Sequence, residues 1–180
     1  MSELTQEYLK SRLHYDKDTG IFTWKTTKSN RIKIGQQAGT LSPEGYVIIT
    51  IDCKRYVASR LVMLYVEGIC PNFVDHRDTD RQNNRYSNLR TATMQENNCN
   101  TIMYNTNTSG IKGLSWCKKR LVWRAYVTKQ GDTYRKDFKS KELAEIWVIN
   151  VRNQLHGEFA NHGKIVIENT LKGNYELRST

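Results

Sequence analysis

No two of the four cysteines stand close together. Cys53, Cys70, Cys99 and Cys117 are spread along the chain, and no CxxC occurs. Thiolate zinc sites and redox motifs need close pairs, so neither is expected, and the cysteines read as free thiols. Long apolar runs are missing as well. No stretch approaches the roughly 20 residues needed to cross a bilayer, and the mean hydropathy is −0.69. The opening "MSELTQEYLKSRL" carries acids and lacks a basic-then-apolar pattern, so no export signal is expected and the cytoplasm is the expected location. No internal repeat is visible. Histidine is scarce, with four in 180 residues.

Acidic residues are also few relative to basic ones: eighteen Asp and Glu stand against twenty-eight Lys and Arg, a net charge of +10. The excess is uneven. Residues 1–100 hold fourteen basic and eleven acidic side chains, a net of +3; residues 101–180 hold fourteen and seven, a net of +7. Between 101 and 140 there are nine basic residues and two acids. Such density fits a polyanionic partner, nucleic acid rather than a membrane, because no apolar lipid-inserting face goes with it. The plainer reading of the same charge is a solvated surface.

What is present falls into two styles. In the first, Leu4, Tyr8, Leu9 and Leu13 share one face, predicting a helix over 4–14 with Thr5 as its cap and His14 at its end. "DKDTG" predicts a turn and "IFTWK" a strand. "GYVIITIDCKRYVA" predicts a hairpin, after which Ser59 reads as the cap of a helix that Gly68 closes. "NFVDH" reads as a strand, "RDTDRQNNRYS" as a loop and "NLRTA" as a second strand. "TMQE" is a capping box that starts a helix near Met94 and puts Asn97 in its first turns. The second style follows "TIMYNTNTSG". Three strands are expected in "IKGLSWCKK", "VWRAYVT" and "TYRKDF". A helix from Ser140 to about His156 comes next, with Ala144, Trp147, Val148, Val151 and Leu155 on one stripe. The tail "KIVIENTLKGNYELRST" holds one strand-like run and no motif.

The segment 73–100 concentrates unusual chemistry: an Asp-His pair, and six asparagines within eighteen positions. Histidine suits a general base that works near neutral pH. A carboxylate with an amide carbonyl suits a hard divalent cation. Asp75 and His76, adjacent on a strand, point to opposite faces, so one can face a metal while the other faces water. Asn97 can supply the second oxygen, and Asn88 can tether the loop and hold the His76 ring. Taken singly, each of these residues is more simply a polar loop residue or a surface histidine. The set, at this spacing, points to a site.

"VDHRDTDRQNNRYSNLRTATMQENN" resembles the HNH (His-Me finger, ββα-metal) nuclease motif of phage and intron-encoded homing endonucleases. The resemblance implies His76 as general base, Asn88 as the asparagine that orients it, and Asp75 with Asn97 as ligands of one Mg²⁺ or Mn²⁺. "SGIKGLSWCKKRLVWRAYV" with the helix beyond it resembles the plant ethylene-response-factor DNA-binding fold, in which a three-stranded sheet enters the major groove. That implies Arg124 and Tyr126 facing outward from the middle strand. Lys112, Lys118, Lys119, Arg120 and Arg135 are further candidates for nucleic-acid contact.

The expectation is therefore an α/β (α+β) chain: an HNH nuclease domain over 1–100 with its ββα core at 73–100, a linker over 101–110, a sheet-and-helix DNA-binding domain over 111–162, and a tail over 163–180. It is expected to hydrolyse double-stranded DNA to 5′-phosphate and 3′-hydroxyl ends, nicking as a monomer or cutting both strands as a homodimer, in the host cytoplasm if phage-encoded. The rival is a non-catalytic DNA-binding regulator that uses the basic half alone. The charge equally permits RNA.

Overall fold

The computed structural model describes residues 4–26 and 32–163. The chain divides into two compact units, Met1–Met94 and Gln95–Thr180, each with its own core. Architecture is α+β, as expected, and no described helix is long and apolar enough to cross a membrane.

The first unit opens with helix α1 (Gln6–Arg12), where the Thr5 hydroxyl accepts from the Tyr8 amide as its cap. The helix is shorter than the apolar stripe suggests. At Leu13 the backbone turns extended, and β1 (Leu13–Asp16) pairs antiparallel with β2 (Ile21–Trp24), Leu13 opposite Trp24 and His14 opposite Thr23. His14 is thus a strand residue rather than a helix-end one. Leu13 satisfies both patterns, because the position that completes the helical stripe also points into the core from the strand; it is fully buried. The short strand β3 (Thr40–Leu41) edges a second sheet with β4 (Val47–Ile51) and β5 (Lys54–Val57). β4 and β5 form the expected hairpin. Its two-residue loop, Asp52-Cys53, has φ of 46° and 63°, the positive pair that lets a tight turn follow the right-handed strand twist.

Helix α2 (Ala58–Glu67) starts two residues sooner than expected. Val57 occupies the cap position, with no side-chain capping bond, and Ser59 lies inside the helix and is buried. Gly68 ends it in the left-handed conformation, its amide bonded to the Leu64 carbonyl, as the sequence indicated. β6 (Val74–His76) then pairs antiparallel with β7 (Leu89–Thr91), and a single 3₁₀ turn over Tyr86–Asn88 leads into β7. Val74 and Leu89 of this ribbon share one core with Leu9, Leu13, Phe22, Ile49, Leu61 and Val62. A two-stranded ribbon alone is marginal in water, so this shared core is what holds the loop between its strands.

The second unit contains α3 (Met94–Cys99, apart from Met94) and a three-stranded antiparallel sheet in the order β10-β9-β8. The strands are β8 (Leu114–Cys117), β9 (Val122–Lys129) and β10 (Asp132–Phe138). Helix α4 (Lys141–His156) packs on them. Ser140 caps it by accepting from the Leu143 amide, and Gly157 follows its last turn at φ 56°. Ala144, Trp147, Val148 and Val151 are buried on its stripe, against Leu114, Ala125 and Val127 of the sheet. His156 closes the helix, its Nε2 3.1 Å from the Thr128 carbonyl. Burial holds its pKa below the ordinary value, so it sits there as a neutral ring rather than as a cation on the helix dipole. The strand-like run in the tail lies outside the described residues.

Candidate active site and nucleic-acid surface

The β6–β7 ribbon sets the geometry of the first site. Register places Asp75 opposite Arg90 and His76 opposite Leu89. Cross-strand partners on one face lie within side-chain reach. Arg90 accordingly sends Nε and Nη2 to the same oxygen of Asp75, Oδ2, at 2.7 and 2.6 Å. Both residues are buried, Asp75 at 3% exposure and Arg90 at 8%. A buried charge is costly unless paired, and the guanidinium of Arg90 offsets that cost for Asp75. Sequence pattern alone did not mark Arg90, since only the register reveals the pair.

His76 is 5% exposed. Desolvation lowers its pKa below the ordinary histidine value, opposed by Asn84 and by nearby Asp78, Asp75 and Asp80. The ring is therefore biased toward the neutral form, the one able to accept a proton. Its Nε2 lies 3.2 Å from Oδ1 of Asn84, which is itself 3% exposed. The Tyr46 ring stands 6.2 Å from the imidazole, and the Arg81 guanidinium lies 4.8 Å over Tyr46.

Asn88 provides the tether expected of it. Its Oδ1 accepts from the Asp78 amide at 3.1 Å, while its Nδ2 donates to Asp78 Oδ1 at 2.9 Å and to the Asn83 carbonyl at 2.8 Å. Asn83 also donates to Asp78 Oδ2 at 2.6 Å. Burial would raise the pKa of Asp78, but the bonds from Asn83 and Asn88 outweigh it and hold the carboxyl below its ordinary value. The network braces a loop in which Thr79 takes φ 66°, a conformation that costs a β-branched residue about 1–3 kcal/mol. So the asparagine bonded to the imidazole is Asn84, and Asn88 works on the loop. Both are amides in the same polar stretch, and composition could not separate them. Arg77, Arg81 and Arg85 are exposed on this loop. They too were not singled out from sequence.

Asp75, in the first unit, carries a hard carboxylate oxygen, and Asn97, on α3 in the second unit, carries an amide oxygen. Each is a donor type that Mg²⁺ or Mn²⁺ accepts, ions that keep much of their shell as water and need few protein ligands. Among the described residues no group of three or more His, Cys, Asp or Glu is arranged to hold a metal.

In the second unit the outward face of the sheet carries Arg124, Tyr126 and Thr128 on β9, while Ala125 and Val127 are buried beneath. Arg135 stands opposite Tyr126 on β10, and Lys118, Lys119 and Arg120 crown the exposed turn between β8 and β9. One acid interrupts this face. Asp137 pairs with Arg120 at 2.7 Å and with Arg124 at 3.2 Å. Lys112 lies elsewhere: its Nζ donates to the carbonyls of Cys99 and Thr101 at 3.2 and 2.6 Å, and burial pushes its pKa down to about 8.

Residues 56–99 match the family model described as HNH endonuclease. Over 90 residues, 49% of this chain, the sequence is 42% identical to Protein 3.8 of Escherichia phage T7, covering 73% of that protein. Over 128 residues, 69% of this chain, it is 32% identical to an uncharacterized HNH endonuclease of Acanthamoeba polyphaga mimivirus, covering 66% of it. No solved structure matches the chain.

Proposed function

We propose, for a chain that belongs to the same family as Protein 3.8 of phage T7 and carries an HNH endonuclease domain over residues 56–99, that it is a metal-dependent DNA endonuclease of the phage homing or free-standing kind. One observation carries the reading: a desolvated histidine, biased toward its neutral form, stands beside a buried carboxylate paired with an arginine, on a ribbon whose loop is braced by amides. His76 takes a proton from water, and the water oxygen attacks phosphorus in line with the departing 3′ oxygen. Asp75 and Asn97 would hold the cation. When bound, that cation neutralises charge developing on the scissile phosphate and the leaving oxygen.

Arg77, Arg81 and Arg85 on the loop would meet phosphates near the cut, Arg81 and Arg85 with the guanidinium nitrogens not given to the Glu44 and Asp18 carbonyls. Lys118, Lys119, Arg120, Arg124, Tyr126 and Arg135 form the second contact surface in the proposal. Lys112 is assigned to the interior of its own unit, since its ammonium is already bonded to two backbone carbonyls. Products would carry 5′-phosphate and 3′-hydroxyl ends. One site per chain nicks one strand; a homodimer, or a second event, cuts both.

The test is supercoiled plasmid incubated with Mg²⁺ or Mn²⁺, with chelator as control. Relaxed circles that form only with metal, and that DNA ligase reseals, support the proposal. Absence of relaxed circles with either metal contradicts it and leaves the DNA-binding regulator.

A further inference from the structure

The sheet of the second unit has a second face. Leu114 and Trp116 of β8 stand opposite Ala125 and Trp123 of β9, and Phe138 of β10 stands opposite Trp123 from the other side. Leu114 and Ala125 are buried in the core with α4. Residues two apart along a strand share a face, so the row Trp116–Trp123–Phe138 lies on the α4 side. Arg124, Tyr126 and Arg135 point the other way.

Helix α4 covers this row only in part. Trp123 is partly buried against the core, but Trp116 is 41% exposed. The two indoles stand 5.2 Å apart at 56°, and with Thr108 and Ser109 they line an open cleft of about 320 Å³. That is the low end of the range for small-ligand sites, room for one planar ring system. The charge around it is positive. The Lys141 ammonium lies 5.4 Å from the centroid of Trp123, and the Lys136 ammonium 5.6 Å from that of Phe138. Lys118 and Lys119 are exposed on the turn that follows β8, directly after the strand that carries Trp116.

Open aromatic faces flanked by cations suit a nucleotide, whose base stacks on the indole while its phosphates meet the ammonium groups. A proline-rich segment would use the rings alone and leave the lysines without a counter-charge. Inside a duplex each base is stacked on both sides, so only an unpaired one can enter. We propose that the Trp116–Trp123 cleft binds an unpaired nucleotide of a DNA strand, separately from the outward face that meets the duplex. The indoles take the base; Lys141, Lys118 and Lys119 hold the backbone. DNA rather than RNA follows from the HNH endonuclease domain over 56–99, and to that extent the inference rests on the nuclease reading.

The test uses the full chain without divalent metal, so that no strand is cut. A short oligothymidylate is the probe, set against a duplex of equal length, oligouridylate and decaproline. Of the four tryptophans, Trp24 and Trp147 are buried in the two cores, so quenching of fluorescence reports the Trp116–Trp123 pair. Oligothymidylate is expected to quench it. Trp116→Phe should lose most of the quenching yet keep affinity for a labelled strand, read by anisotropy, within a few-fold. Trp116→Ala should weaken the single strand about ten- to hundredfold and leave duplex affinity unchanged. If that variant does not fold, Lys141→Gln decides, by a several-fold loss confined to the single strand. Equal loss for single strand and duplex, or no loss for either, overturns the proposal. So does tighter binding of oligouridylate, or quenching by decaproline in place of the oligonucleotide. A chain that holds the duplex without single-strand quenching loses the cleft alone. One that is quenched by oligothymidylate yet nicks no plasmid keeps the cleft and loses the nuclease reading.

Discussion

In the first unit Asp75, His76, Asn84 and Arg90 are all less than a tenth exposed, whereas in the second Lys118, Lys119, Arg120, Tyr126 and Arg135 all lie open to solvent. The two ion pairs show the same contrast. Arg90 and Asp75 meet in the interior, while Arg120 and Arg124 meet Asp137 on a surface where the arginines are 62% and 32% exposed. Desolvation is what makes a group reactive, because it shifts proton affinity and strengthens each Coulomb contact; its cost is that every partner must be in place. Groups left in water stay charged and adjustable, which suits reading a phosphate backbone at modest energy per contact. Under the proposal, the difference separates a unit suited to chemistry from one suited to holding.

The largest expected effect breaks the comparison at the buried end. His76→Ala should lower nicking by about two to four orders of magnitude, the range for a lost general base, with duplex binding retained. Next comes the contrast between the ion pairs, read by urea denaturation. Arg90→Met removes the guanidinium from a buried carboxylate and should cost about 3–5 kcal/mol. Arg124→Met removes a surface pair and should shift the midpoint far less.

Binding variants sharpen the exposed end. Arg135→Ala should reduce the salt dependence of duplex affinity by about one in the log–log slope, leaving kcat unchanged. Asp137→Ala should do the reverse, freeing Arg120 and Arg124 and steepening the slope. Lys112→Ala should leave the slope as it is, since that ammonium is spent on carbonyls. A slope that falls with Lys112→Ala and not with Arg135→Ala would put the contact surface elsewhere.

The smallest effect is on pH. His162, whose ring nitrogens lie 3.1 Å from Arg152 and 2.9 Å from Asn153, has its pKa pushed down to about 4, first by burial and then by Arg152. The unfolded ring titrates near 6.5, so between these values the unfolded chain binds the proton first. Stability from this group is complete above pH 6.5 and is lost as pH falls through about 4. His162→Gln should flatten the acid limb of stability measured by thermal melts.

The second unit was the more legible in sequence. Strand alternation in "VWRAYVT" and the helical stripe from Ala144 to Val151 are strong periodic signals, and both reappear as the buried residues of one core. The 47–57 hairpin and Gly68 were equally plain, because turn chemistry is local. In the first unit β1 was hidden: "LHYD" follows a helix whose stripe it extends, and only pairing with β2 makes it a strand. Ser59 resembled a cap by type, yet the helix had already begun. Asp75, His76, Asn88 and Asn97 stood out by spacing. Asn84 and Arg90 did not, since the choice between equivalent amides, and the partner of a carboxylate, depend on a loop path and a strand register that no local pattern encodes.

The most direct test of the central claim compares wild type with His76→Ala in two assays on the same preparation: nicking of supercoiled plasmid with Mn²⁺ or Mg²⁺, and retention of a duplex by mobility shift. The expected result is metal-dependent relaxed circles from the wild type, none from the variant, and equal retention by both. Equal nicking by His76→Ala would contradict the account.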